Sequence, residues 1–238
     1  MKTALTIVEP SSPSVFAASL LLAISEGAKP IVHRLLSLPG GIHFRGITWK
    51  WFDEGDVLLT AALLKGCSHT IESLCIVSGL SCTSVHICVH INNSLLLLVK
   101  PGSAPVNLSK ATKLRDATFR PGSWNAKWIT MALQTITPKH RDLRQISVHL
   151  PTCWPPSHVD AGTSETSEEA ALVQWPDLDR LLVKFWESRL IRPRVIYPLV
   201  FRTTKGGMPY SGSMKDWIRR LLPETMGRGI IDLVGAHY

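Results

Sequence analysis

A chain of 238 residues with 45% hydrophobic and 18% charged residues is too apolar to be disordered. It is also long enough to bury a core, as one domain or two small ones. The formal net charge of +8 and pI near 9.4 imply acidic partners: an acidic protein face, nucleic acid or an anionic membrane. Cys67, Cys75, Cys82, Cys88 and Cys153 are an odd number, which argues against a disulfide framework. Reduced thiols in an intracellular compartment, cytoplasmic or nuclear, are expected.

In chain order, Thr3–Val8 reads as a short strand and Glu9–Ser14 as a Pro/Ser turn. Val15–Ile24 is apolar but too short to span a bilayer, and Glu9 and two prolines stand where a signal peptide carries cations. It is expected to be a core helix running to Ala28, broken by Pro30 and followed by another turn over Ile31–Leu38. No membrane association is expected, for want of a basic amphipathic helix. Two glycosylation acceptor patterns, at Asn92 and Asn107, matter only in a secreted protein.

A recurring arrangement then begins: a leading apolar residue, another three positions on, and a third two beyond that. Residues two apart share one side of an extended strand. The copies are Phe44-x-x-Ile47-x-Trp49, Ile71-x-x-Leu74-x-Ile76, a weaker Ser94-x-x-Leu97-x-Val99, Leu114-x-x-Ala117-x-Phe119, Leu143-x-x-Ile146-x-Val148 and Leu178-x-x-Leu181-x-Val183. Helices are expected between them. One has Asp53 as N-cap and ends near Gly66; another carries Trp124, Trp128, Met131 and Leu133 inward and stops at Pro138. The exit Val99-Lys100-Pro101-Gly102-Ser103 recurs as Phe119-Arg120-Pro121-Gly122-Ser123, which marks an internal repeat.

Most intervals lie in or near the ~20–29 residues of leucine-rich repeats. The last is longer because residues 152–170, acidic and polar, read as a mobile loop. Arg192–Pro209 reads as a basic Pro/Gly-rich connection. Lys215–Leu222 is a final helix with Trp217, Leu221 and Met214 inward, and Ile230–Val234 a closing strand or cap. The expected architecture is α/β: an irregular leucine-rich-repeat-like solenoid over residues 1–187, with parallel strands and outer helices. Residues 188–238 add the basic connection and a small C-terminal helical cap.

The segments IHFRGITWKWFDEGDVLLTAALLKGCSHTIESLCI, LVKPGSAPVNLSKATKLRDATFRPGSW, HRDLRQISVHLP and LDRLLVKFWES resemble the leucine-rich-repeat-like region of fungal F-box-type proteins. The resemblance covers Gly41 to Glu187. It implies a curved stack of strand–helix units with a protein-binding face, sometimes serving as substrate receptor of a ubiquitin ligase. No F-box helix pattern precedes Thr3, so the expected role is a receptor remnant without the adaptor-binding half.

In such a strand the residue after the last apolar position faces away from the core. This reading produces a column of Lys50, Val77, Lys100, Arg120, His149 and Lys184, four of them permanent cations. A second column of Thr48, Cys75, Leu98, Thr118, Ser147 and Leu182 is neutral, with Thr118 and Ser147 as hydrogen-bonding members. The first column suits an acidic protein segment; alternatively, its cations only keep a sheet edge soluble. The expected function is non-catalytic protein–protein recognition.

The alternative is a basic nucleic-acid-associated protein, with Arg189, Arg192, Arg194, Arg202 and Lys205 as phosphate contacts. Most of the eight tryptophans fall where a core needs bulk. Cys82-x-x-x-His86-x-Cys88-x-His90 spans about 20 Å in a straight strand, too far for one tetrahedral metal site, so no metal is expected. No nucleophile elbow is present, His140-Arg141-Asp142 lacks the rest of a kinase signature, and Gly206-Gly207 lacks a phosphate-loop lysine. No enzyme activity and no small-molecule cofactor are therefore expected.

Overall fold

Buried and part-exposed residues alternate through Ile47–Lys50, Leu74–Val77 and Ala117–Arg120, as strands with one face against a core require. The computed structural model describes residues 5–7, 19–22, 28–37, 43–51, 54–78, 106–121, 126–151, 167–189, 191–198 and 214–236. The strands are β1 (Leu5–Ile7), β2 (Ser19–Leu22), β3 (Gly46–Trp51), β4 (Ser73–Ser78), β5 (Asp116–Arg120), β6 (Gln145–His149), β7 (Pro193–Pro198) and β8 (Asp232–Ala236). The helices are α1 (Ala28–Leu36), α2 (Glu54–Cys67), α3 (Lys127–Gln134), α4 (Ser167–Arg189), α5 (Met214–Leu221) and α6 (Pro223–Gly227).

The strands form one eight-stranded sheet in sequence order. β1 and β2 are antiparallel, and every pairing from β2 to β8 is parallel. The chain is thus α/β, with the sheet continuing through β7 and β8 beyond residue 188. Parallel neighbours need a crossover that returns the chain to the same end of the sheet, and α2, α3 and α4 lie within three of those crossovers.

Register brings the repeated apolar positions into rows. Ile47, Leu74, Ala117 and Ile146 form one row; Trp49, Ile76, Phe119, Val148 and Val195 form the next. All nine are at most 2% exposed. Leading residues Ile71, Leu114 and Leu143 are buried as well, and Phe44 packs against the same core. Helix α3 brings Trp128, Ile129, Ala132 and Leu133 onto this core, with the Trp128 ring edge-on to Phe119 at 5.7 Å between centroids. Met131, expected inward, is half-buried, and Trp124 lies outside the described residues.

Several expectations are corrected. The Val15–Ala28 helix is replaced by β2 over Ser19–Leu22, whose Leu20 and Leu22 pair with Ile47 and Trp49. A short apolar run fits strand and helix alike by periodicity, and the neighbouring strand decides. Pro30 does not break a helix; it sits in the first turn of α1, where a missing N–H costs nothing.

The triplet Leu178-x-x-Leu181-x-Val183 is not a strand but part of α4. Trp175, Leu178, Leu182 and Phe185, at most 6% exposed, follow helical spacing, and the three-residue step at the head of the triplet suits either period. Helix α4 also claims Ser167–Ala170 from the expected loop; residues 152–166 lie outside the described residues. Part of the expected basic connection is β7, which tolerates its prolines because they stand at its two ends. The Ser94–Val99 triplet lies outside the described residues, and β4 pairs directly with β5.

Candidate binding face of the sheet

With the apolar rows turned to the core, the intervening residues of each strand face the other way. Lys50, Val77 and Arg120 stand in register on β3, β4 and β5. His149 continues the row on β6, since the Arg120 Nε–H donates to its Nε2 at 3.2 Å. Beyond it the row runs to Ile196 and Val234. The parallel row contains Thr48, Cys75, Thr118, Ser147, Arg194 and Asp232.

The predicted columns are therefore assembled in part. Lys50, Arg120 and His149 share one row, and Thr118 and Ser147 share the next. Lys184 does not: it is exposed on α4, and Leu182 beside it is buried in the core. Lys100 and Leu98 lie outside the described residues.

Burial changes the chemistry of the row. Ser147 and His149 are 4% and 5% exposed, whereas Lys50, Val77, Thr118 and Arg120 are half-buried. Burial, and then the charge of Arg120, push the His149 pKa down to about 4. His149 is thus neutral at physiological pH, with its proton on Nδ1 and its Nε2 accepting from Arg120. Burial raises the Cys75 thiol above its ordinary range, opposed by Arg120, so Cys75 is a thiol and not a thiolate. The permanent cations of this row are Lys50 and Arg120.

Two members of the expected phosphate cluster have partners within the protein. Arg192 donates to the Gly229 carbonyl at 3.3 Å. Arg194 Nε meets Asp232 Oδ2 at 3.2 Å across β7 and β8. Arg189 ends α4, and Arg202 and Lys205 lie outside the described residues.

A second charged row went unread in the sequence. The residue after each leading apolar position forms a rim along the N-terminal ends of the strands: Arg45, Glu72, Arg115 and Arg144. Backbone bonds fix it, with Glu72 N–H donating to Arg45 O (2.7 Å), Arg115 N–H to Glu72 O (2.7 Å) and Arg144 N–H to Arg115 O (2.8 Å). Glu72 bridges Arg45 (3.6 Å) and Arg115 (3.3 Å). The sequence signal for this rim is the charged residue directly after each leading apolar position.

His140 is fully buried in the turn before β6. Its Nδ1 accepts from Thr137 N–H at 3.1 Å, which leaves Nε2–H to donate to Leu108 O at 2.8 Å. It thereby ties two neighbouring turns together. Among the described residues no group of three or more His, Cys, Asp or Glu side chains could hold a metal ion. Cys82, His86, Cys88 and His90 lie outside them. No described helix is long and apolar enough to cross a membrane. Compared with models of known protein families, with curated proteins and with solved structures, the chain matches none.

Proposed function

We propose that the chain is a non-catalytic recognition scaffold of leucine-rich-repeat-like solenoid form, whose outward sheet face takes an acidic protein segment. Parallel strands following one another in sequence order, with helices in the crossovers, support the solenoid reading. The observation that carries the functional reading is the alignment of Lys50 and Arg120 on one row, with Val77 between them. Strands about 4.8 Å apart set these cations about two rungs apart. Beside them Thr48 and Thr118 offer hydroxyls and Cys75 a neutral thiol, so carboxylates on an extended partner meet cations flanked by donors.

The resemblance to fungal F-box-type proteins adds a role in holding the target of a ubiquitin ligase on this face. The free thiols Cys67 and Cys75 suit a reducing, intracellular setting.

A Glu-rich fluorescent peptide tests the reading. Binding is expected at low salt and at least a tenfold loss of affinity in the Lys50→Glu, Arg120→Glu double variant, with far-UV circular dichroism unchanged. Equal affinity for both proteins would remove the sheet face as the binding surface.

A further inference from the structure

The turns before β5 and β6 are two copies of one shape. In the first, Ala111 N–H donates to Leu108 O (2.8 Å) and Leu114 N–H to Ala111 O (3.0 Å). In the second, His140 N–H donates to Thr137 O (3.1 Å) and Leu143 N–H to His140 O (3.4 Å). The strands that follow are in register, Asp116 with Gln145, so Lys110 and Lys139 occupy equivalent places, as do Arg115 and Arg144. Lys113 and Arg141 lie between those places. All six cations are exposed, against two carboxylates on the same turns, Asp116 and Asp142.

Stacking like charges on adjacent rungs costs free energy, because about 4.8 Å is well inside the screening length at physiological salt. Glu72 relieves that repulsion between Arg45 and Arg115, but the rim passes from Arg115 to Arg144 with no acidic position between. The turns that carry these charges are also tied to one another. The His140 bridge to Leu108 O and the Leu108 N–H bond to Thr135 Oγ1 (2.8 Å) lock one turn against the next.

We infer that this N-terminal rim binds the phosphate backbone of a nucleic acid. A double row of lysines and arginines on turns held in register matches a ligand whose charge repeats along its length, and such binding draws its affinity from charge alone. A peptide partner would also bury apolar side chains. The large hydrophobic residue exposed among the described residues is Leu58, which belongs to α2 and not to these turns. The inference concerns a different edge of the sheet from the Lys50–Arg120 row and does not rest on it.

The probe is a 20-base-pair DNA duplex of arbitrary sequence, titrated by fluorescence anisotropy in about 50 to 200 mM salt. With about four phosphates neutralised, affinity should fall on the order of 10²-fold across that range. Arg115→Gln with Arg144→Gln should weaken binding at least tenfold at the lower salt and flatten the salt slope by about two. Lys184→Gln with Lys215→Gln, exposed on α4 and α5, should change neither, and thermal melts confirm that both variants fold. Failure of the duplex to bind, wild-type behaviour of the rim variant, or displacement of the duplex by polyglutamate at equal charge concentration would each overturn the assignment. The last outcome would give the rim to an acidic protein instead.

Discussion

Replacing His149 with Gln should remove most of an acid-dependent loss of stability from the folded protein. The side chain is 5% exposed, and its pKa falls from the ordinary 6.5 to about 4 on folding. The folded state holds the neutral ring, whereas the unfolded chain takes up a proton below about pH 6.5. Stability is therefore fully present above that pH and is lost as pH falls towards 4. The whole shift corresponds to on the order of 3 kcal/mol, and about 2 kcal/mol is gone by about pH 5. Gln does not titrate, is of similar size, and can still accept the Arg120 Nε–H bond that His149 receives at 3.2 Å. Urea denaturation of both proteins at about pH 7.5 and pH 5 measures the difference. Every other group is common to both proteins, so subtraction isolates His149. Wild type should lose about 2 kcal/mol more than the variant; parallel losses would refute the account of a buried, Arg120-linked imidazole.

Two other predictions concern the core. Asp179, 1% exposed on α4, accepts from Glu224 N–H at 2.6 Å and Thr225 N–H at 3.0 Å at the start of α6. Asp179→Ala leaves those donors without their acceptor and should cost about 2–4 kcal/mol in chemical denaturation, with Asp179→Asn recovering part of it. An Ala variant as stable as wild type would show that α6 docks without this carboxylate. Cys67 is fully buried, its Sγ–H donates to Leu63 O at 2.7 Å, and burial raises its pKa to about 12. Alkylation at about pH 8, followed on the Cys67 peptide by mass spectrometry, should be at least a hundredfold slower in the native protein than in urea.

The strands β3, β4, β5 and β6 were legible because each shows its own core face: Ile47 and Trp49, Leu74 and Ile76, Ala117 and Phe119, Ile146 and Val148. The same spacing anticipated the rows on the opposite face, since a strand's period of two fixes both sides at once. It could not anticipate their burial. Nothing in the letters around Ser147 and His149 distinguishes them from the half-buried Thr118 and Arg120, so spacing alone sets His149 in an open column.

The misread segments share a cause. Ser19–Leu22 and Leu178–Val183 are apolar runs too short for their own periodicity to choose between helix and strand. The choice went to whatever lay alongside: β3 in the first case, and in the second a stripe that extends from Trp175 to Phe185.

Local pattern, then, determined by itself that this chain makes parallel strands with apolar inner rows, because alternation and spacing act within a few residues. Which strands became neighbours beyond β6, where Lys184 went, and that Asp179 would serve a helix 45 positions away were decided only in three dimensions. Hydrogen-bond pairing and burial depend on what arrives from distant parts of the chain, and no single stretch carries that information.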